Sequence, residues 1–165
     1  MNILEKDFYY PSSSREHPIY ARCWISDNNK DIKAILQIAH GMAEHSDRYD
    51  DFAHHMASQG FAVYANDHAG HGKSLNKDKN LGYFSEKDGR YHLMEDMYIL
   101  TKIAKEQNSK MPHFLLGHSM GSFLSRLYAV KHGGELSAVI FMGTGGQNTL
   151  IDVAIALSKR LMSIR

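Results

Sequence analysis

The chain has 165 residues, of which 43% are hydrophobic and 22% charged, with a formal net charge of +1. That is enough for one domain with a core, of ordinary soluble composition, and it leaves no basic excess for nucleic acid. Cys23 is the only cysteine, so no internal disulfide can form and nothing points to an oxidising compartment.

The opening "MNILEKDFYYPSSS" is charged by residue 5 and has no apolar run or small-residue cleavage site, so it does not read as a signal peptide. No stretch approaches the length of a membrane span. A cytoplasmic protein is expected.

"KDFYYPSSSREHPIYARCWIS" reads as two strands around a turn at 11–16. "KAILQIAHG" is a short apolar run ending in glycine, a buried strand. "RYDDFAHHMASQG" follows as a helix stopped by Gly60. "FAVYAND" is the next strand, and a polar loop rich in glycine and lysine runs from His68 to Gly89. The segment 90–110 places Leu93, Met97, Leu100 and Ala104 on one helical face. "PHFLLG" is a strand, "MGSFLSRLYAVKHGG" a helix ending at a glycine pair, and "LSAVIFMG" a strand. The closing segment carries Leu150, Ala154, Leu157, Leu161 and Ile164 on one stripe. Alternating strands and helices predict an α/β fold: a mostly parallel sheet covered on both faces. In such sheets function collects beyond the carboxyl ends of the strands.

"GHSMG", Gly117 to Gly121, fits G-x-S-x-G. A tight strand-to-helix turn strains the serine backbone and lifts its side chain clear, and the flanking glycines let strand and helix approach. Here the pattern follows an apolar strand and opens an amphipathic helix, the context that the chemistry needs. The alternative is a serine N-cap. "AHGMAEHSDRY", Ala39 to Tyr49, follows an earlier strand. A tetrahedral intermediate needs two backbone N–H groups aimed at its oxyanion. Met120, after the serine, and Met42, in the His-Gly turn, are the natural donors. "DHAGHGKS" resembles a phosphate loop only in its last three residues. The position five before Gly72 is Asp67 rather than glycine, and polar loop follows Ser74. Eleven histidines raise a metal reading. No Cys cluster or H-E-x-x-H accompanies them, so no metal site is assigned. "GTGGQN" reads as an exit from the last strand, since no βαβ unit follows it.

With these motifs in place, the sequence resembles the α/β-hydrolase superfamily. Within it, the chain is most similar to the monoacylglycerol lipase and lysophospholipase branch, also labelled serine aminopeptidase-like. "HGMAEHSDRY", "DHAGHGKS" and "GHSMG" stand in that family's order and spacing. The resemblance implies that Ser119 is the acyl-accepting nucleophile and that Met42 and Met120 are the oxyanion-hole donors. It implies that His40, Gly41, Glu44, His45, Arg48 and Tyr49 shape the oxyanion loop, with Gly117, His118 and Gly121 forming the elbow. Asp67, Gly70 and Gly72 match a buttressing loop. No cofactor is implied. The expected partners are a small ester or lipid substrate and, through the cap, a transient contact with a membrane surface.

The family's triad runs Ser, then Asp or Glu, then His. Only 46 residues follow Ser119, and His132 is the one histidine among them. It lies on the same predicted helix, roughly 20 Å along the axis, where a general base must lie within about 3 Å. His118 adjoins the serine and diverges from it. His40 and His68 precede it, and Asp152 does not match the family's acid. The sequence is therefore expected to be the amino-terminal part of a hydrolase, with core over 1–143 and the start of a cap over 144–165. Such a part would be inactive alone and prone to aggregation or self-association through an exposed edge at 137–143 and the 150–164 helix. Two other readings stay open: a non-catalytic fragment, or one half of a two-chain assembly.

Overall fold

A computed structural model describes residues 2–27, 32–75 and 81–146, with Ser158 and Arg160. Nine elements occur among them, in the order β1 (Ile3–Pro11), β2 (Pro18–Ser26), β3 (Ala34–Ala39), α1 (Asp50–Ser58), β4 (Phe61–Asn66), α2 (Gly89–Gln107), β5 (His113–His118), α3 (Met120–His132) and β6 (Ala138–Met142). Short 3-10 turns at Ser46–Tyr49 and Gly133–Glu135 precede α1 and follow α3.

The six strands form one sheet in the order β1-β2-β4-β3-β5-β6. β1 and β2 make an antiparallel hairpin, and β2 joins β4 antiparallel. From β4 through β3 and β5 to β6 every pairing is parallel. All six residues of β3 are buried, as a parallel strand covered on both faces must be.

Side chains alternate between two cores. Ile35, Ala62, Tyr64 and Leu115 face a core built with Leu93, Met97, Leu100 and Ala104 of α2 and with Leu124 and Tyr128 of α3. Leu36, Ile38, Val63 and Leu116 face the other, with Trp24 and with Ala53 and Ala57 of α1. The helical face expected on α2 is thus the face it buries. Small alanines let α1 lie close to the sheet, and Gly60 ends it at φ 92, a left-handed conformation that costs glycine little.

The crossover pattern places the site. The chain leaves β3 toward β4 on one side and returns to β5 on the other, so a switch point falls at the carboxyl end of β3. Ala39 pairs with Gly117, which sets the ends of β3 and β5 level. Among the described residues no helix is long and apolar enough to cross a membrane. The expected terminal stripe, Leu150 to Ile164, lies outside the described residues.

Candidate active site

Ser119 stands between β5 and α3 at φ 51 and ψ −115, a conformation that L-residues rarely adopt. Two glycines make room for it. A Cβ on Gly121 would overlap the Ala39 carbonyl oxygen, and one on Gly117 would overlap the Gly121 carbonyl oxygen and the Ser125 hydroxyl. The Ser119 N–H donates to the Met142 carbonyl at 2.9 Å, so the last residue of β6 anchors the turn. Gly143, at φ 62, packs beside the His118 ring. The sequence offered no signal for these two partners, because they lie far downstream and act through the backbone. Met120 opens α3, and its N–H is one of the four that a helix leaves without an internal partner.

The loop after β3 lies against this turn. A Cβ on Gly41 would come within 3.2 Å of both Ser119 Cβ and His118 Nδ1. Glu44 holds the loop: its Oε2 accepts the Gly41 N–H at 3.1 Å and the Tyr49 hydroxyl at 2.8 Å. His118 Nδ1 lies 3.2 Å from Oε1, and Arg48 Nε 3.3 Å from it. Burial pushes the Glu44 carboxyl up, but the bonds from Gly41, Tyr49 and His118 outweigh it and leave it below its ordinary value. Burial and the Glu44 carboxylate raise the Tyr49 phenol. Ala43 takes φ 57, a left-handed turn on a residue other than glycine. Met42 is 54% exposed, and with Glu44, His45, Gly70, His71 and Leu81 it lines a cavity of about 360 Å³.

The loop after β4 supports the one after β3. Buried Asp67 accepts the Ser46 N–H at 2.7 Å and the Lys73 N–H at 2.8 Å. Gly72, at φ 48, leaves the space that this carboxylate fills. Gly70, at φ 76, runs against the backbone of Tyr83.

The histidines weighed as a base are committed elsewhere. His40 is buried, with Nδ1 2.7 Å from the Gly41 carbonyl and Nε2 accepting the His68 N–H at 2.9 Å. Burial pulls its pKa down to about 4 and holds that of His68 well below the ordinary value. His132 ends α3, 3.1 Å from Glu95 and stacked on Tyr98. Among the described residues, no side chain hydrogen-bonds the Ser119 hydroxyl. Asp152 lies outside them.

Glu5, Asp50 and His54 come close enough to hold a cation among the described residues. The Arg22 guanidinium already sits there as the cation, 3.1 Å from Asp50 and paired with Glu5.

Comparison with known proteins gives the family and the fold. The profile of the family "Serine aminopeptidase, S33" matches residues 30–164. The monoacylglycerol lipase of Mycolicibacterium smegmatis is 34% identical over 140 residues, covering 84% of this chain and 47% of that protein. The mouse monoglyceride lipase is 29% identical over 141 residues, covering 86% and 44%. Among solved structures, a thermostable carboxyl esterase from Bacillus coagulans superposes with a TM-score of 0.85 at 32% identity, covering 98% of this chain and 51% of that one. The chain thus spans about half the length of the relatives it matches. By motif order, sheet topology and profile, it belongs to the serine aminopeptidase S33 family and carries part of the α/β-hydrolase fold.

Proposed function

We propose that the chain carries the acyl-accepting side of a serine ester hydrolase acting on monoacylglycerols, lysophospholipids or similar small esters. The observation that carries this reading is the strained Ser119 between two glycines whose Cβ positions are filled by backbone. Strain of this kind persists only where surrounding structure imposes it, and it clusters at reactive residues.

In the reaction, Ser119 Oγ bonds to the ester carbonyl carbon as its proton passes to a base. The carbonyl oxygen becomes an oxyanion and accepts the N–H groups of Met42 and Met120. The C–O bond to the alcohol then breaks, and the base returns the proton to the departing alkoxide. Water repeats the sequence on the acyl-serine and frees the acid. We place the base outside these 165 residues, in the half of the relatives that this chain does not match. No cofactor enters the scheme.

A protein extended to the relatives' length should hydrolyse short-chain nitrophenyl esters and monoacylglycerols. Ser119→Ala should lower kcat by several orders of magnitude, roughly to the residual that binding and oxyanion contacts supply. Retained activity in that variant would end the nucleophile assignment. Among the described residues no side chain bonds the Ser119 hydroxyl, which favours a second reading for the chain by itself: a non-catalytic half that assembles with another polypeptide. Fluorophosphonate labelling separates the two. Slow labelling that no second polypeptide accelerates would favour the first reading, and fast labelling of the 165-residue chain would overturn both by showing that its base is internal. Slow labelling that a second polypeptide accelerates would favour assembly.

A further inference from the structure

His40 makes two bonds whose chemistry leaves one proton arrangement. The Gly41 carbonyl can only accept, so Nδ1, 2.7 Å away, must carry a proton. The His68 backbone N–H can only donate, so Nε2, 2.9 Å away, must present its lone pair. The ring is therefore neutral, in the Nδ1–H tautomer. It bridges the loop after β3 and the loop after β4.

The first bond has a consequence one peptide further on. The Gly41 C=O and the Met42 N–H belong to one planar unit, and no peptide in the described chain is cis. In a trans peptide these two groups point in opposite directions. Holding the carbonyl toward buried His40 turns the Met42 N–H away from it. The Gly41 N–H, on the other side, is held by Glu44.

We propose that His40 is a positioning residue: its Nδ1–H fixes the plane of the Gly41–Met42 peptide and so aims the N–H that receives the oxyanion. The catalytic part of this rests on the ester-hydrolase reading. The bond itself does not.

Protonation would undo the arrangement. A proton on Nε2 would face the His68 N–H, so the ring would have to turn and release the Gly41 carbonyl. The groups around it act in both directions. Burial lowers its pKa most, and His71 on the loop after β4 lowers it further. The Gly41 carbonyl, Asp67 and Glu44 raise it. His68 lies with its ring centre 4.2 Å away. From β5, His118 meets Glu44 rather than His40. From α3, Gly121 lies against the His40 backbone carbonyl. The balance leaves His40 neutral until about pH 4.

The test is nitrogen NMR on the 165-residue chain. Long-range ring correlations should give His40 as the Nδ1–H tautomer at pH 7. On acidification the Met42 and His68 amide signals should move together, with a midpoint near 4. His40→Asn keeps a donor near Nδ1 and should leave the Met42 amide in place, whereas His40→Leu should displace it. If His40→Leu fails to fold, the wild-type tautomer and titration still decide. An Nε2–H tautomer, or a Met42 amide indifferent to that titration, would overturn the proposal. An unreactive Ser119 in a protein of the relatives' length, with the tautomer intact, would instead remove only the ester-hydrolase reading.

Discussion

The Glu44 carboxylate lies 3.2 Å from His118 Nδ1 and so ties the loop after β3 to the residue just before Ser119. Its pKa is lowered on folding, so its contribution to stability is present above the unfolded carboxylate range and is lost as pH falls through the folded value. Glu44→Ala leaves the Gly41 N–H and the Tyr49 hydroxyl without their acceptor. Urea unfolding at pH 7 should show a loss of about 1–3 kcal/mol. That loss should shrink as pH falls below the ordinary carboxylate range and through the lowered folded value, where the wild-type carboxylate is itself protonated. A loss independent of pH would mean that packing, not charge, is what Glu44 supplies.

Strain at Ser119 can be read by comparing two substitutions. Ser119→Ala removes the hydroxyl and keeps the Cβ that makes φ 51 costly. Ser119→Gly removes both. Denaturation should place the glycine variant above the alanine variant by about 1 kcal/mol or more, against the usual order. Equal stabilities would mean that the turn is not strained.

Gly121 and Gly134 give a paired test of close approach. A Cβ at Gly121 runs into the Ala39 carbonyl, whereas one at Gly134 meets nothing within 4 Å. Gly121→Ala should cost about 3 kcal/mol or prevent folding, because α3 must move off the sheet. Gly134→Ala should stay within about 0.5 kcal/mol of wild type. Thermal melts of the two variants check this.

A buried polar network makes stability sensitive to acid. Tyr128 donates to Thr101 at 2.8 Å, Thr101 to Gln37 at 2.8 Å, and His113 Nε2 lies 3.2 Å from the same Gln37 oxygen. Burial lowers the pKa of His113 to about 4, as it does that of His40. Below about pH 6.5 the unfolded chain takes up protons at these histidines that the folded chain refuses, until about pH 4. Each should remove about 2 kcal/mol between pH 7 and 5. Urea midpoints should fall over that window, and less steeply in His113→Gln.

β6 pairs with β5 on one side only among the described residues, and Ile140, Phe141 and Met142 are 48%, 42% and 45% exposed. An apolar edge without a guarding charge invites strand pairing. Sedimentation should find the 165-residue chain self-associating, and Ile140→Lys should shift it toward monomer. A wild-type chain monomeric at high concentration would sink this expectation.

The regular elements were legible because their apolar spacing is a local property. Leu93, Met97, Leu100 and Ala104 repeat at helical intervals, and all four are buried. "GHSMG" announced the turn because its glycines answer a local steric demand. The links between segments were not legible. His40 read as a residue of the oxyanion loop and, with His68, as a spare candidate for a base, and nothing in the sequence marks the pair as a bridge. Asp96 looks like a surface carboxylate on a helix, yet it is buried and accepts from Ser12 and Ser13 of the β1–β2 turn. Gln37 sits inside an apolar strand, and its partners Met97, Thr101 and His113 come from two other elements. Such pairs depend on topology, which periodicity does not encode.

The bond from Ser119 N–H to the Met142 carbonyl bears on how the chain is made. Synthesis delivers Ser119 well before β6, so a nascent chain has the glycines of the turn but not its anchor. Until β6 has emerged and joined β5, the serine lacks the bond that anchors its backbone. The strained geometry of Ser119 is then a late product of translation, gained when β6 docks on β5.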